Sequence, residues 1–322
     1  MESLPLLAVF FVIVGSLIRA SRKVWTKWFQ ESEHPKQWKT RPAALTAVQM
    51  SVASATFFIW AALTGGSKVE GDPWVLFYWV VATGVLSVFN MYARTALQGL
   101  KGITLSAPIE ALVPLGALII GPLMALVFPM QSWRRFPLDV WGITGVVIMV
   151  IGVYRLNLRA ALADQGNVST VRLFTLLRRN SAFVSAILVV TLGAIGVNLE
   201  AEMANRASIP WVLAWTFLIT ALGNYGMAWR GKEFSGLPLG AVAWAAVPGM
   251  LFALGNGVTN YAYRYANTAY VAGLKRSDVI FSLLGGWLIN KEREELTRRV
   301  VAGTLIAIGA ALILVGMRPA SP

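Results

Sequence analysis

Three charged residues, Lys275, Arg276 and Asp278, fall near the middle of the apolar stretch Tyr270–Glu295. The stretch is apolar enough to lie in a membrane, where each charge costs several kcal/mol unless it faces protein or a water-filled cavity. Such residues either bind a charged solute or ion, or form a buried ion pair that only holds helices together. We expect this stretch to line a polar cavity halfway across a bilayer.

The spacing of these charges constrains what they can contact. In a helix, Lys275 and Asp278 share a face because they are three residues apart. Arg276 points about 100° away, so the spacing predicts that Lys275 and Arg276 do not serve one small pocket equally. A carboxylate at similar depth is Glu110, about 7 Å from the centre of the predicted helix 103–127. Glu110 and Lys275 are therefore candidates either for one ligand site or for a buried salt bridge.

The composition is that of a membrane protein with many spans. Of 322 residues, 57% are hydrophobic and 13% are charged, whereas soluble domains carry about 25% charged residues. The absence of cysteine and the single histidine exclude disulfides, thiolate metal sites and a histidine cluster. No usable nucleotide-binding, hydrolase or metalloprotease motif occurs, so we expect no enzyme activity, cofactor or metal. We attribute the net charge of +13 to cytoplasmic loops rather than to nucleic-acid binding.

The chain contains ten apolar runs of the length that a membrane-spanning helix needs, roughly 20 residues. We predict an all-α polytopic protein with ten transmembrane helices. The predicted spans are about 4–20, 43–63, 73–95, 103–127, 138–156, 181–201, 209–229, 238–262, 268–290 and 299–317. The polar segment Arg155–Asn180 separates five runs from five. It divides the chain into a first unit, 1–156, a polar linker, 157–180, and a second unit, 181–322.

Basic residues concentrate in alternate links between the predicted helices. The odd-numbered links contain Arg19–Arg41, Lys101, Arg155–Arg179, Arg230 with Lys232, and Lys291–Arg299. Because cytoplasmic loops collect lysine and arginine, this pattern predicts that both termini lie outside the cytoplasm. Glu200 and Glu202 end the sixth predicted helix near Arg206, and we interpret these two carboxylates as interfacial charges.

The two units share residues at one fixed offset. Four pairs stand 164 residues apart, namely Pro114 and Asp278, Gly121 and Gly285, Gly145 and Gly309, and Gly152 and Gly316. The spacing Gly-x6-Gly places both glycines on one helix face, where helices approach closely. Since five helices per unit is an odd number, the two units insert in opposite orientations. Such inverted repeats carry their site near the midplane of the membrane.

Two matching segments close the two units. The second unit has YVAGLKRSDVIFSLLGGWLINKERE followed by VVAGTLIAIGAALILVG, and the first has ALQGLKGITLSAPIEALVPLGALIIG followed by GVVIMVIG. Over about 96–156 and 262–317 the chain resembles the EamA-like ten-helix branch of the drug/metabolite transporter (DMT) superfamily. Glu292 matches the acidic position that follows the ninth helix in that family. The chain departs from the pattern at Phe128–Pro129, where an acidic turn is usual, and at Asp278, where a proline is usual.

This resemblance implies a central cavity lined by helices one to four and six to nine, with helices five and ten outside it. It also implies a secondary carrier of small organic solutes in the bacterial inner membrane, which works by alternating access between two inverted repeats. Ten-helix members of the family usually keep both termini in the cytoplasm, which is opposite to what the loop charges predict here.

Six residues are our candidates for the binding site, namely Glu110, Asn260, Tyr263, Lys275, Arg276 and Asp278. Lys275 and Arg276 indicate an anionic or zwitterionic solute, and Glu110 is the candidate carrier of a coupling proton. Tyr263 and Asn260 come from the run NGVTNYAYRYANTAY. Its tyrosines either offer a flat face and a hydroxyl to a solute or form an aromatic belt at the interface.

Two other functions remain open from the sequence. A lipid or lipid-linked-sugar translocase on the same fold needs a cavity that opens sideways to lipid. A non-transporting membrane partner needs satisfied charge pairs and no cavity. A cavity around Glu110 and Lys275 distinguishes these alternatives, whereas the sequence specifies neither the direction of transport nor the oligomeric state.

Overall fold

The computed structural model describes residues 3–32, 41–66, 69–70, 72–101, 109–128, 130, 133, 138–163, 182–278, 280–281 and 296–316. Across these ranges the chain forms ten α-helices, two short 3-10 helices and no β-strand, with one isolated bridge between Val69 and Ala207. The protein is therefore all-helical, as the sequence predicts. Most of the predicted linker, together with Pro129, Gly285 and Glu292, lies outside the described residues.

The ten helices follow the predicted spans in order. They are α1 Ser3–Ser32, α2 Pro42–Leu63, α3 Pro73–Lys101, α4 Val113–Val127, α5 Val140–Ala163, α6 Ala182–Arg206, α7 Ile209–Arg230, α8 Leu239–Tyr261, α9 Thr268–Leu274 and α10 Leu296–Gly316. The 3-10 helices Ala262–Arg264 and Lys275–Ser277 directly follow α8 and α9. Within the described ranges, four segments are long and apolar enough to cross a membrane, namely Ala43–Leu63, Pro73–Met91, Val184–Arg206 and Leu239–Arg264.

Three helices differ from their predicted bounds. α4 begins at Val113, with Pro114 in the first turn, where its missing N–H costs no helical hydrogen bond, and residues 103–108 of the predicted span lie outside the described residues. α9 ends at Leu274, and the chain tightens into a 3-10 helix where the charged residues begin. α1 continues past its predicted end at residue 20 as far as Ser32, so Arg19 is part of a helix rather than of a link.

The described helices run between two ends of the bundle. At one end, the bridge between Val69 and Ala207 joins the link after α2 to the link after α6. Arg264, which follows α8, donates there to the carbonyl of Ala207, 2.9 Å away. At the other end, the N–H of Ala44 in α2 donates to a carboxylate oxygen of Glu233, 2.9 Å away, in the link after α7. We call these the Arg264 end and the Glu233 end.

The most extensive helix packing joins one unit to the other. α5 packs on α10 and α2 packs on α7, while α1 packs on α8 and α3 packs on α6. In addition, α2 contacts α8 and α3 contacts α7. The counterpart of each helix is the one five places further along the chain, so that α1 corresponds to α6 and α5 to α10. Exchanging every helix for its counterpart reproduces the same set of six pairs.

Glycines allow α5 and α10 to touch along their backbones. A Cβ added to Gly145 would lie 2.5 Å from the carbonyl oxygen of Gly309, and a Cβ added to Gly309 would lie 2.6 Å from the carbonyl oxygen of Gly145. The contact is thus reciprocal, and only glycine fits at either position. This close approach is what the Gly-x6-Gly spacing predicts.

Large apolar side chains are exposed around the outside of the bundle. Four apolar side chains are each more than four-fifths exposed, namely Leu63, Leu126, Trp229 and Leu239. Further exposed apolar side chains lie on α1, α3 and α5. Soluble monomers rarely expose apolar surface on this scale, which is typical of a face that meets a membrane or a partner.

Candidate functional site

The charged residues of the site lie at the end of a short, buried helix. Asn267 caps the start of α9, because its side-chain oxygen accepts from the N–H of Ala269 at 2.9 Å, and every residue of Thr268–Leu274 is buried. The following 3-10 turn carries Lys275 and Arg276 and ends at Asp278. The buried helix thus places these three side chains in the interior of the bundle.

A cavity of about 240 Å³ lies between the two units. Its charged lining residues are Arg19 and Arg22 of α1, Glu110 just before α4, Glu200 of α6, and Lys275, Arg276 and Asp278 after α9. Four of the six predicted site residues therefore share one cavity. Lys275 and Arg276 both line this cavity. They lie on a 3-10 turn, where successive side chains point about 120° apart, so the prediction that they do not serve one pocket equally stays a prediction.

Lys275 is held by three side chains from two other segments. Its Nζ donates to the hydroxyl of Tyr263 at 2.7 Å and to the Oδ1 of Asn260 at 3.2 Å. It also forms an ion pair with the Oε2 of Glu200 at 3.9 Å. Tyr263 and Asn260 are buried and do not line the cavity themselves. Tyr263 and Asn260 therefore position Lys275 in this structure. Its ion-pair partner is Glu200, which was not among the predicted site residues.

Glu200 and Glu202 are not the interfacial charges that the sequence predicts. Glu200 lines the cavity, and the side chain of Glu202 is fully buried. Glu202 accepts from the Nε of Arg206 at 2.8 Å, and the Arg206 guanidinium lies 4.8 Å from the ring centre of Trp79. Packing against α3 encloses the end of α6. Glu202 is therefore buried and Glu200 partly buried, although both lie close to the end of a helix.

Arg19 is a cavity residue that the sequence did not predict, because its place near the expected end of the first helix assigned it to a basic link. One of its terminal nitrogens, Nη2, donates to Ser16 Oγ at 3.0 Å and to the carbonyl of Lys275 at 2.9 Å. Its Nε is buried and has no hydrogen-bond acceptor among the described residues. The spacing of Ser16 and Arg19 by three residues was the available signal, and it becomes informative only once α1 is known to continue.

The rest of the cavity wall includes amide and aromatic side chains among aliphatic ones. Asn90 and Asn256 line it from α3 and α8, and Phe217 and Phe252 line it from α7 and α8. The two phenylalanine rings meet edge to face with centres 5.3 Å apart, and the guanidinium of Arg22 lies 4.5 Å from the ring centre of Phe252. The cavity therefore offers both charged groups and a flat apolar surface to a ligand.

The tyrosines at the end of α8 do not supply that surface. Tyr261 and Tyr265 pack against Phe11 of α1, with ring centres 5.6 and 6.0 Å away, and Tyr261 also lies 6.1 Å from Trp60. This aromatic cluster joins α1, α2 and α8 beside the cavity. Neither tyrosine is among the residues that line it.

Comparison with known proteins supports the fold. One solved structure, described as "Crystal structure of protein", matches with a TM-score of 0.70 at 17% sequence identity, over 99% of this chain and 98% of that chain. The two proteins share a fold. At this level of identity the likeness carries no information about function. No protein-family model matches the chain, and no curated protein matches its sequence.

Proposed function

We propose that this protein is a secondary membrane transporter that moves a small organic anion or zwitterion through the cavity by alternating access. The observation that carries the proposal is the cavity itself, a charged space of about 240 Å³ between two apolar helical units. Ligand pockets for drug-sized molecules occupy about 300–1,000 Å³, so this one suits a smaller solute. In this proposal Glu110, Lys275, Arg276 and Asp278 contact the solute, and Glu110 carries a coupling proton.

The proposed setting is the inner membrane of a bacterial cell, with all ten helices crossing it. Four long apolar segments and the exposed apolar side chains along α1, α3 and α5 support a membrane location. Buried charges inside a membrane protein usually belong to a solute or ion pathway, which supports transport.

We further propose that 1–156 and 181–322 are inverted repeats, as in the EamA-like branch of the DMT superfamily. The exchange of helix pairs between the two units supports this arrangement. So does the reciprocal contact of Gly145 with Gly309, two residues that the fixed offset relates. In the packing of α2, α3, α7 and α8, Gly84 of α3 meets Ile219 of α7, and Gly249 of α8 meets Gln49 of α2.

Alternating access requires that one end of the cavity be closed while the other admits solute. Contacts across the Arg264 end support closure there. Arg264 donates to the carbonyls of Ala204 and Ala207, and the hydroxyl of Tyr270 donates to the carbonyl of Asp139 at 3.1 Å. These contacts tie α8 and α9 to the end of α6 and to the segment before α5. The bond between Tyr270 and Asp139 joins the second unit to the first, so transport would require it to separate.

The two rival functions fit the cavity less well. A non-transporting partner protein predicts that the central charges fill the space between the helices, whereas Glu110 and Lys275 line a cavity. A lipid or lipid-linked-sugar translocase needs room for a much larger head group than this cavity offers. Each rival nevertheless predicts a distinct outcome in a transport assay.

Counterflow in proteoliposomes tests the proposal. Proteoliposomes that contain the purified protein are loaded with one unlabelled solute from a panel of small carboxylates, zwitterions and amines. Entry of the same solute in labelled form is then followed. We expect entry of at least one anion or zwitterion, and we expect Glu110→Gln and Asp278→Asn to abolish it. Arg230→Gln is the matched control, because Arg230 is exposed at the end of α7 and its loss should leave uptake unchanged. Movement of a labelled lipid without solute uptake would favour the translocase, and neither activity would favour the partner protein.

A further inference from the structure

Arg19 is fixed in the cavity by contacts with two other helical segments. The stem of its side chain lies on Gly255 of α8, where an added Cβ would stand 2.7 Å from the Cγ of Arg19. Its Nη2 donates to Ser16 Oγ and to the carbonyl of Lys275. The guanidinium therefore has a defined orientation before any ligand arrives, which reduces the entropy that a ligand contact would cost.

One donor of this guanidinium has no protein acceptor within the described parts of the chain. The Nε of Arg19 is buried, and a buried donor that lacks an acceptor destabilises the protein. Arginine carries five N–H donors in a planar fork that matches a carboxylate. Because Arg19 lines the cavity, an acceptor that occupies the cavity can approach its guanidinium.

The formal charges around the cavity also favour a singly charged anion. Four cationic side chains line the cavity, namely Arg19, Arg22, Lys275 and Arg276, against three carboxylates, namely Glu110, Glu200 and Asp278. The described lining thus carries one excess positive charge. A carboxylate carries a single negative charge and cancels it, whereas a phosphate monoester carries about 1.5 to 2 negative charges.

We infer that Arg19 is the anion-binding residue of the cavity and that the solute carries one carboxylate, which accepts from the Arg19 guanidinium. The inference rests on the proposed transport function and specifies its substrate class. The apolar body of the solute lies against Phe217 and Phe252, which form the aromatic wall of the same cavity. Arg19 is then a specificity-determining residue that distinguishes a carboxylate from a neutral isostere.

Titration calorimetry on the full-length protein in detergent tests this inference with three matched probes, 3-phenylpropionate, its neutral amide and phenethyl phosphate. We expect the wild type to bind the carboxylate at least tenfold more tightly than the amide, since a charged hydrogen bond in a buried site is worth about 1.5–3 kcal/mol. Arg19→Gln should abolish that preference, and Arg19→Lys, which keeps the charge but lacks the planar fork, should reduce it. Arg19→Lys keeps the charge and a donor for the Lys275 carbonyl, so it serves as the test if Arg19→Gln does not fold.

Arg230→Gln is the control, because Arg230 is exposed at the end of α7 and does not line the cavity. This variant should keep the preference for the carboxylate within about threefold. The inference is overturned if the wild type does not bind 3-phenylpropionate, if the Arg19 variants keep the full preference, or if Arg230→Gln loses it equally. Tighter binding of the phosphate than of the carboxylate overturns the assigned substrate class.

The outcome for transport is separate. Carboxylate binding that depends on Arg19, without counterflow of any solute, would leave the anion site standing and remove the transport function. Counterflow that is unchanged in a folded Arg19→Lys variant would leave the transport function standing and remove Arg19 as the anion site.

Discussion

Lys275 and Glu200 form an ion pair that joins the end of α9 to α6, with Nζ and Oε2 3.9 Å apart and both side chains less than a quarter exposed. The pair connects α6 to the turn after α9, which carries three of the seven charged residues that line the cavity. The same ammonium also donates hydrogen bonds to Asn260 and Tyr263. Lys275 is therefore part of the folded framework as well as part of the cavity wall.

The variant Lys275→Ala tests this structural role. Removing the ammonium leaves Glu200 without its partner and Tyr263 without its donor. We expect a loss of up to about 3 kcal/mol in the free energy of unfolding, because stranded buried charges are costly. The melting temperature in detergent should fall accordingly, and adding Glu200→Gln should recover most of the loss. If Lys275 also contacts the solute, as we propose, the stable double variant should show no uptake. A single variant that melts like the wild type would contradict the structural role.

The glycine contact between α5 and α10 provides a second prediction. Gly145→Ala and Gly309→Ala should each cost about 1–3 kcal/mol in stability, because each new Cβ would lie within 2.7 Å of backbone atoms on the opposite helix. The two losses should be similar, since the contact is reciprocal. Gly303→Ala on α10 is the matched control. No heavy atom lies within 4 Å of a Cβ added there, and alanine favours a helix by up to about 1 kcal/mol over glycine. Equal melting temperatures for all three variants would show that α5 and α10 do not touch at these glycines.

The loop charges predict the orientation in the membrane. Lys232 lies at the Glu233 end and Glu70 at the Arg264 end. Because the natural chain has no cysteine, Lys232→Cys and Glu70→Cys each introduce a single labelling site. We expect an impermeant thiol reagent applied to intact cells to label Glu70→Cys and to spare Lys232→Cys. The opposite pattern would mean that both termini lie in the cytoplasm, as is usual for ten-helix members of the DMT superfamily.

How much the sequence predicted depended on whether a feature is local or comes from packing. Lys275, Arg276 and Asp278 were identifiable because charges inside an apolar run are conspicuous without any knowledge of neighbouring helices. The ten helices were identifiable for the same reason, from the length of each run. Arg19 and Glu200 were missed because each lies near an uncertain helix end. Only the packing of α1 and α6 around α9 turns them inward, and no periodicity within one helix records that packing.

The 3-10 turn at Lys275–Ser277, after which the chain is helical again at Asp278, was also beyond the sequence. The run after Thr268 reads as one continuous span, yet the α-helix gives way to a 3-10 turn within seven residues. Hydrogen bonds from Lys275 to α8 and to the segment that follows it hold the turn, so its cause lies in another part of the chain.

The most direct test of the central claim is whether blocking the cavity blocks transport. Gly196 lines the cavity, and no heavy atom lies within 4 Å of a Cβ added there, so Gly196→Cys introduces one thiol facing open space. Gly240→Cys, at the exposed start of α8, has similar room and is the control. Both variants are labelled to completion with a charged methanethiosulfonate reagent and assayed by counterflow. The transport account predicts that labelling abolishes uptake by Gly196→Cys and leaves uptake by Gly240→Cys unchanged. Full uptake by completely labelled Gly196→Cys would contradict a solute path through this cavity.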